Sequence, residues 1–283
     1  MHLKLTIEYD GTDFVGSQLQ SAGMGRTVQG ELEKALERLA GETLRIAMAG
    51  RTDSGVHARG QVASVTSPAK ARLDTPRAVQ KALNGILPAD VAVTHAESAP
   101  EGFHARYSAS KRCYRYLLWN AEAPMPLLSR YSLHIKRRLD TGAMQAGARM
   151  IEGTHDLAAF AGQGMGVPVG PGADTEERPS TVRTVYAARL TRLDPKAGFW
   201  SVQAPEAPGG ESKEEGTLLA LDLVANAFLP QMIRTIVGTL LEVGYGRLLA
   251  EDVSRIIESR DRKQAGPTAR PQGLCLLWVS YES

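Results

Sequence analysis

Ala49-Gly50-Arg51-Thr52-Asp53-Ser54-Gly55-Val56-His57-Ala58 is the stretch on which the reading of this chain turns. Before it, Leu44 to Met48 reads as a strand, and after it Gln61 to Val65 reads as another, so Arg51 to Gly55 is expected to be a turn between them. Asp and Gly are common turn residues, because Asp bonds to nearby backbone and Gly accepts unusual dihedrals. On that view Arg51 and Asp53 are two surface charges. The same residues permit a sharper view. Glycines on either side of Arg-Thr-Asp let other backbone approach closely, and a short carboxylate on a tight turn is rigidly aimed. The residues of the turn alone leave both views open.

Outward from the turn, helical and strand patterns mix in two halves. Leu3, Leu5, Ile7 and Tyr9 alternate with Lys4, Thr6, Glu8 and Asp10, as in a half-buried strand. Thr27 can cap a helix whose Val28, Leu32, Ala35, Leu36 and Leu39 share a face, with Gly41 as its stop. Thr75-Pro76 opens a helix that Asn84-Gly85 ends. Lys111 to Trp119 is a strand with Tyr114, Tyr116 and Leu118 on one side. In the second half Asp140 caps a helix through Glu152, which Gly153 ends. Strands follow at Thr181–Leu190, Gly198–Gln203 and Leu218–Val224, helices at Pro230–Val243 and Glu251–Ser259, and a strand at Leu274–Tyr281. Leu3–Gln20 and Leu219–Arg234 share a layout: a strand, then a loop with a phenylalanine, Phe14 or Phe228. The expected fold is therefore α+β, two related halves with antiparallel sheets and flanking helices, divided as 1–110 and 111–283. Gln163–Arg178, rich in Gly and Pro, and Ala204–Gly216, rich in Glu, look like insertions and are expected to be mobile surface loops.

Composition bounds the function. The chain has 283 residues, 43% hydrophobic and 23% charged, which supports a core and excludes wholesale disorder. No apolar run approaches the roughly 20 residues of a spanning helix. The N-terminus alternates instead of showing a basic start and an apolar block, so a cytoplasmic location is expected. Cys113 and Cys275 form no CxxC and read as reduced thiols, and the six histidines are scattered, so no metal site is indicated. The glycines around Gly162-Gln163-Gly164 lead into Pro168 and Pro171, where a dinucleotide loop would need a helix. The net charge is only +2, but its distribution is uneven. Between Gly102 and Arg138 lie Arg106, Lys111, Arg112, Arg115, Arg130, Lys136, Arg137 and Arg138, against a single acid, Glu122, with His104, Tyr107, Tyr114 and Tyr116 interleaved. Bases mixed with aromatics suit a polyanion with stackable bases; a solvated strand face would look the same.

Several ordered motifs together resemble one family across nearly the whole chain. Gly50–Ala58 looks like the signature of the TruA family of pseudouridine synthases. Gly16-Ser17-Gln18-Leu19-Gln20 and Thr27-Val28-Gln29 resemble that family's N-terminal pattern. Phe103–Ala109 and Tyr114-Arg115-Tyr116 resemble its central block. Ala225–Leu229, Met232-Ile233-Arg234 and Val237-Gly238 resemble its C-terminal block, and Ala265–Ala269 with Gly273-Leu274 its closing motif. The resemblance implies the pseudouridine synthase fold, with both halves around a central active-site cleft. It implies an isomerase that converts uridine to pseudouridine at positions 38, 39 and 40 of the tRNA anticodon arm, working as a homodimer in the cytoplasm without cofactor, metal or membrane. By the same resemblance Asp53 is the catalytic carboxylate, Tyr114 the active-site tyrosine, Arg234 the partner of the aspartate, and Arg51 the residue that helps extrude the target base. Arg106, Lys111, Arg112 and Arg115 are expected to meet the RNA backbone.

These residue types fit the reaction. It breaks an N-glycosidic bond, turns the uracil and rejoins it through carbon, and a carboxylate suits attack or charge stabilisation at ribose or ring. The target base must leave its stack, at a cost of roughly a few kcal/mol, and Arg51 and Tyr114 are suited to offset that by filling the gap and stacking. One position departs from the family: Ser17 stands where Trp is usual, which removes a large packing surface and reads as local repacking. A non-catalytic RNA-binding relative would keep the basic stretch and lose Asp53. A glycoside or nucleoside hydrolase would need a second acid, for which Asp10 and Asp13 are the nearby candidates in sequence, although both look like turn residues.

Overall fold

The computed structural model describes residues 2–20, 25–66, 74–162, 180–194 and 216–281. The expected strand at Gly198–Gln203 and the expected loop at Gln163–Arg178 lie outside the described residues, as does Ala204–Gly216 apart from its last residue. Among the described residues five α-helices accompany a ten-stranded, mostly antiparallel sheet. No helix among them is long and apolar enough to cross a membrane.

In the first half β1 (His2–Tyr9) runs between β3 (His57–Thr66) and β4 (Val91–Ser98), antiparallel to both. Its period-2 pattern works as expected: Leu3, Leu5, Ile7 and Tyr9 are buried on one side. That side is covered by α1 (Val28–Ala40) and α2 (Pro76–Asn84). The Thr27 hydroxyl accepts from the Gly30 amide at the start of α1, and Gly41, at φ 80°, closes its end. Val28, Leu32 and Leu36 then face the sheet, fully buried, each such side chain stabilising the fold by about 1.5–3 kcal/mol. β2 (Ala47–Met48) is a two-residue remnant of the strand expected from Leu44, because the chain leaves the sheet almost at once to make the turn.

The second half pairs β5 (Ala109–Asn120) with β9 (Thr217–Ala225), then β8 (Val182–Leu193) and β7 (Gly153–Asp156); a short β6 (Leu133–Ile135) runs parallel to the far end of β5. The boundary expected at residue 111 thus falls inside β5. α3 (Thr141–Arg149), α4 (Met232–Gly244) and α5 (Asp252–Ser259) cover this part of the sheet. Helix α3 stops short of Glu152, since Gly153 already begins β7. The last strand, β10 (Leu274–Tyr281), lies between β3 and β5 and bonds to both, parallel to one and antiparallel to the other. The C-terminal strand therefore seams the two halves into one sheet, and the turn after β2 and the start of α4 meet beside that seam.

Candidate active site

The turn is held by its backbone. The Ala49 amide donates to Val62 O at 2.8 Å, and the Gly50 carbonyl accepts from Gln61 Nε2 at 2.9 Å. Thr52 is gripped twice by Ser17: its amide donates to Ser17 Oγ at 2.8 Å, and its carbonyl accepts from the Ser17 amide at 3.0 Å. Its hydroxyl meets Tyr9 Oη at 2.8 Å. Asp53 forms an isolated antiparallel bridge with Gly16, and its carbonyl accepts from the Val56 amide. Ser54 Oγ and the Gly55 amide both donate to the Phe14 carbonyl. Gly55 sits at φ 76° with the Pro271 ring 3.0 Å from where a Cβ would be, which is why glycine is needed there. Arg51, at the tip between these restraints, is exposed.

The opposing wall is α4. Its residues Ile233, Ile236 and Val237 are buried, and Arg234 projects from among them. The Arg234 Nε donates to Ala269 O at 2.8 Å, while the Ala269 amide donates back to Arg234 O at 3.0 Å. With the stem fixed this way, Nη1 donates to Asp53 Oδ2 at 2.7 Å. The two side chains are 16% and 38% exposed, so the pair is mostly sheltered on the arginine side and open on the carboxylate side. A charge-assisted bond of this length fixes the rotamer of the carboxylate. Of the two candidate second acids, Asp10 accepts from Thr12 and Tyr131 and faces His57.

Tyr114, on β5, lies against Phe228 edge-on with ring centroids 5.2 Å apart, and its hydroxyl is 3.6 Å from the position a Cβ would take on Gly50. Burial pushes its phenol well above the ordinary range; Tyr9 adds to this, Arg112 opposes it, and the Asp53 charge adds again. The group therefore remains a neutral hydrogen-bonding phenol at physiological pH. Tyr9 is likewise pushed up to about 12 by burial, against the hydrogen bonds of Thr52, Gln61 and Ser17.

The basic stretch divides. Arg106 and Lys111 are partly exposed, each near a tyrosine ring: Arg106 is 5.8 Å from Tyr107 and Lys111 5.0 Å from Tyr186. Arg112 and Arg115 are engaged within the protein. The Arg115 guanidinium is committed to Asp222 through bonds of 2.7 and 2.8 Å. Arg112 is buried, with its donors spent on the carbonyls of Ala49, Arg106 and Asn226. The cause is the alternation of β5, which turns Arg112 and Tyr114 to the same, covered side. Burial pushes the Cys113 and Cys275 thiols up to about 11, which disfavours the thiolate.

Sequence reasoning missed Tyr9, Gln61 and Ser17 as supports of the turn. Gln61 carried a signal, a polar side chain at an inward position of an apolar strand. Ser17 carried another, since a small hydroxyl in place of an aromatic leaves room for a backbone amide to reach it.

A family profile described as tRNA pseudouridine synthase matches residues 5–108 and 148–282. Proteins named tRNA pseudouridine synthase A are similar over 99% of this chain. That of Roseiflexus sp. (strain RS-1) is 44% identical over 280 residues, covering 90% of that relative. That of Chloroflexus aurantiacus (strain J-10-fl) is 44% identical over 279 residues, covering 88% of it. That of Moorella thermoacetica is 38% identical over 279 residues, covering 99% of it.

Proposed function

Because the chain belongs to the tRNA pseudouridine synthase family, an isomerase family acting on tRNA, we propose that it isomerises uridine at positions 38, 39 and 40 of the anticodon stem-loop, with Asp53 as the nucleophile. One observation carries the assignment of the centre. The 2.7 Å bond between Asp53 and Arg234 joins two motifs that lie 181 residues apart in sequence.

The reaction is balanced within the substrate. The bond from the ribose C1′ to N1 of uracil breaks, a bond from C1′ to C5 forms, C5 gives up its proton and N1 gains one. Asp53 adds to the substrate and is released when the carbon–carbon bond is made. Arg234 holds the carboxylate oriented before the step. Because the phenol of Tyr114 is neutral and fixed against Phe228, it is suited to stack on the displaced base and to hydrogen-bond it. Arg51 fills the gap the base leaves in the stem, and Arg106 and Lys111 meet phosphates. The enzyme works in the cytoplasm, where its tRNA substrate is, as a homodimer.

Mass mapping of pseudouridine in bulk tRNA treated with the protein tests this reading. Pseudouridine at the three anticodon-arm positions is the expected result. Free uracil would favour a hydrolase, and bound but unmodified tRNA a non-catalytic relative.

A further inference from the structure

Arg112 carries a guanidinium into the interior, and among the described residues no carboxylate lies within ion-pair distance of it. A buried cation without an acid is costly unless its donors are satisfied, and here carbonyls satisfy them. Nη1 donates to Asn226 O at 2.6 Å, Nη2 to Arg106 O at 3.0 Å and to Ala49 O at 3.1 Å, and Nε to Ala49 O at 3.4 Å. Burial is also the main reason its pKa is lowered.

The three carbonyls belong to three separate segments. Ala49 is the entry to the turn that carries Asp53. Arg106 is in the loop before β5. Asn226 begins the loop from β9 to α4, which carries Phe228 and then Arg234. The Asn226 side chain is itself fixed, with Oδ1 accepting from the amides of Thr184 and Ala227. A guanidinium is planar, and its donors have a fixed spread, so bonds to these carbonyls set the distance between the segments.

Building on the functional reading above, we propose that Arg112 is a positioning residue that clamps the Asp53 turn of the first half to the Asn226–Phe228 loop of the second, and so sets the separation at which Asp53 and Arg234 meet. It touches no reacting atom, and its charge is not spent on RNA.

Arg112→Lys and Arg112→Gln in the full chain test this, with wild type alongside. Lysine keeps the charge but cannot reproduce the fork. Both variants should fold, judged by circular dichroism. Single-turnover pseudouridine formation should fall about 10²-fold in Arg112→Lys, the loss typical of a ~1 Å misplacement, and further in Arg112→Gln. Affinity for tRNA should change far less, and its salt dependence not at all. Amide exchange over Gly50–Asp53 should rise in Arg112→Lys while that of α1 and α2 stays constant. This readout holds even if the wild type makes no pseudouridine, which would sink the functional reading alone. Four results would overturn the clamp: wild-type turnover in Arg112→Lys; unchanged exchange at the turn; an affinity loss with the salt slope reduced by about 0.7–0.9, the mark of a lost phosphate contact; or failure of both variants to fold, which would make Arg112 a support of the whole structure.

Discussion

The loop after β1 and the loop after β9 begin alike, each leaving a sheet strand and carrying a phenylalanine, yet they contribute differently to the site. The first loop works through backbone and small groups. The Phe14 carbonyl accepts from Ser54 and Gly55, Gly16 bridges Asp53, and Ser17 grips Thr52 at both amide and carbonyl. The Phe14 ring itself is buried, with the Arg26 guanidinium 4.6 Å from its centre. The second loop works through side chains: Phe228 backs Tyr114, and the helix that follows projects Arg234 to Asp53. One half of the molecule restrains the carboxylate, and the other supplies the groups that lie beside it. Damage to the second loop and its helix should therefore cost chemistry directly, and damage to the first should cost precision.

Arg234→Ala should show the largest difference. Removing a preorganised charged donor typically costs about 10²–10³ in turnover, and tRNA affinity should fall far less. Arg234→Lys should restore only part, because an ammonium cannot both bond Ala269 and reach Asp53 through a planar fork. Single-turnover rates with bound tRNA measure both. Equal turnover in Arg234→Ala and wild type would mean that the two loops do not differ as described.

Ser17→Ala should have a smaller effect. It leaves the Thr52 amide without its side-chain acceptor, a loss of about 1 kcal/mol for a neutral bond, so turnover should fall several-fold with unchanged tRNA affinity. Thermal unfolding should move down slightly. A Ser17→Ala protein that loses affinity instead would make this loop an RNA contact.

Tyr114 gives a test by pH. Its folded pKa is raised, so the neutral form is the one the fold favours; the stability it contributes is present below the ordinary tyrosine range of about 10 and is lost only as pH rises through the folded value. Turnover against pH should therefore show no alkaline fall from Tyr114 up to about pH 10. Comparing wild type with Tyr114→Phe checks this, since any alkaline limb should be common to both.

The smallest effect belongs to the phosphate contacts. Arg106→Ala should reduce the slope of log tRNA affinity against log salt by about 0.7–0.9, the loss of one phosphate contact. Arg112→Lys should leave that slope unchanged, and titrations at several salt concentrations distinguish the two.

Periodicity and punctuation made much of this fold legible. The alternation of β1, the Thr27 cap and Gly41 stop of α1, and the Thr75-Pro76 start of α2 are local signals, and all appear where the residues indicate. β6 and β7 were not legible because they are short, and β4 because only Val91 and Val93 alternate in it; all three form by pairing with other strands. The insertion of β10 between β3 and β5 is likewise a long-range fact. At the site, Asp53, Tyr114 and Arg234 could be named from motifs. The burial of Arg112 was signalled only by its sharing the strand parity of Tyr114 and Tyr116, a signal masked by the basic residues around it, which look solvated. Gln61 and Ser17 carried local signals, but no spacing rule says which distant backbone group, the Gly50 carbonyl or the Thr52 amide, such a side chain reaches.

The most direct test is pseudouridine formation by Asp53→Asn on tRNA, measured by mass mapping beside wild type. The substitution is nearly isosteric and removes the carboxylate that Arg234 holds. A folded Asp53→Asn protein that binds tRNA and forms no pseudouridine is the expected result; measurable pseudouridine from that protein would contradict the assignment of Asp53 as the reactive carboxylate.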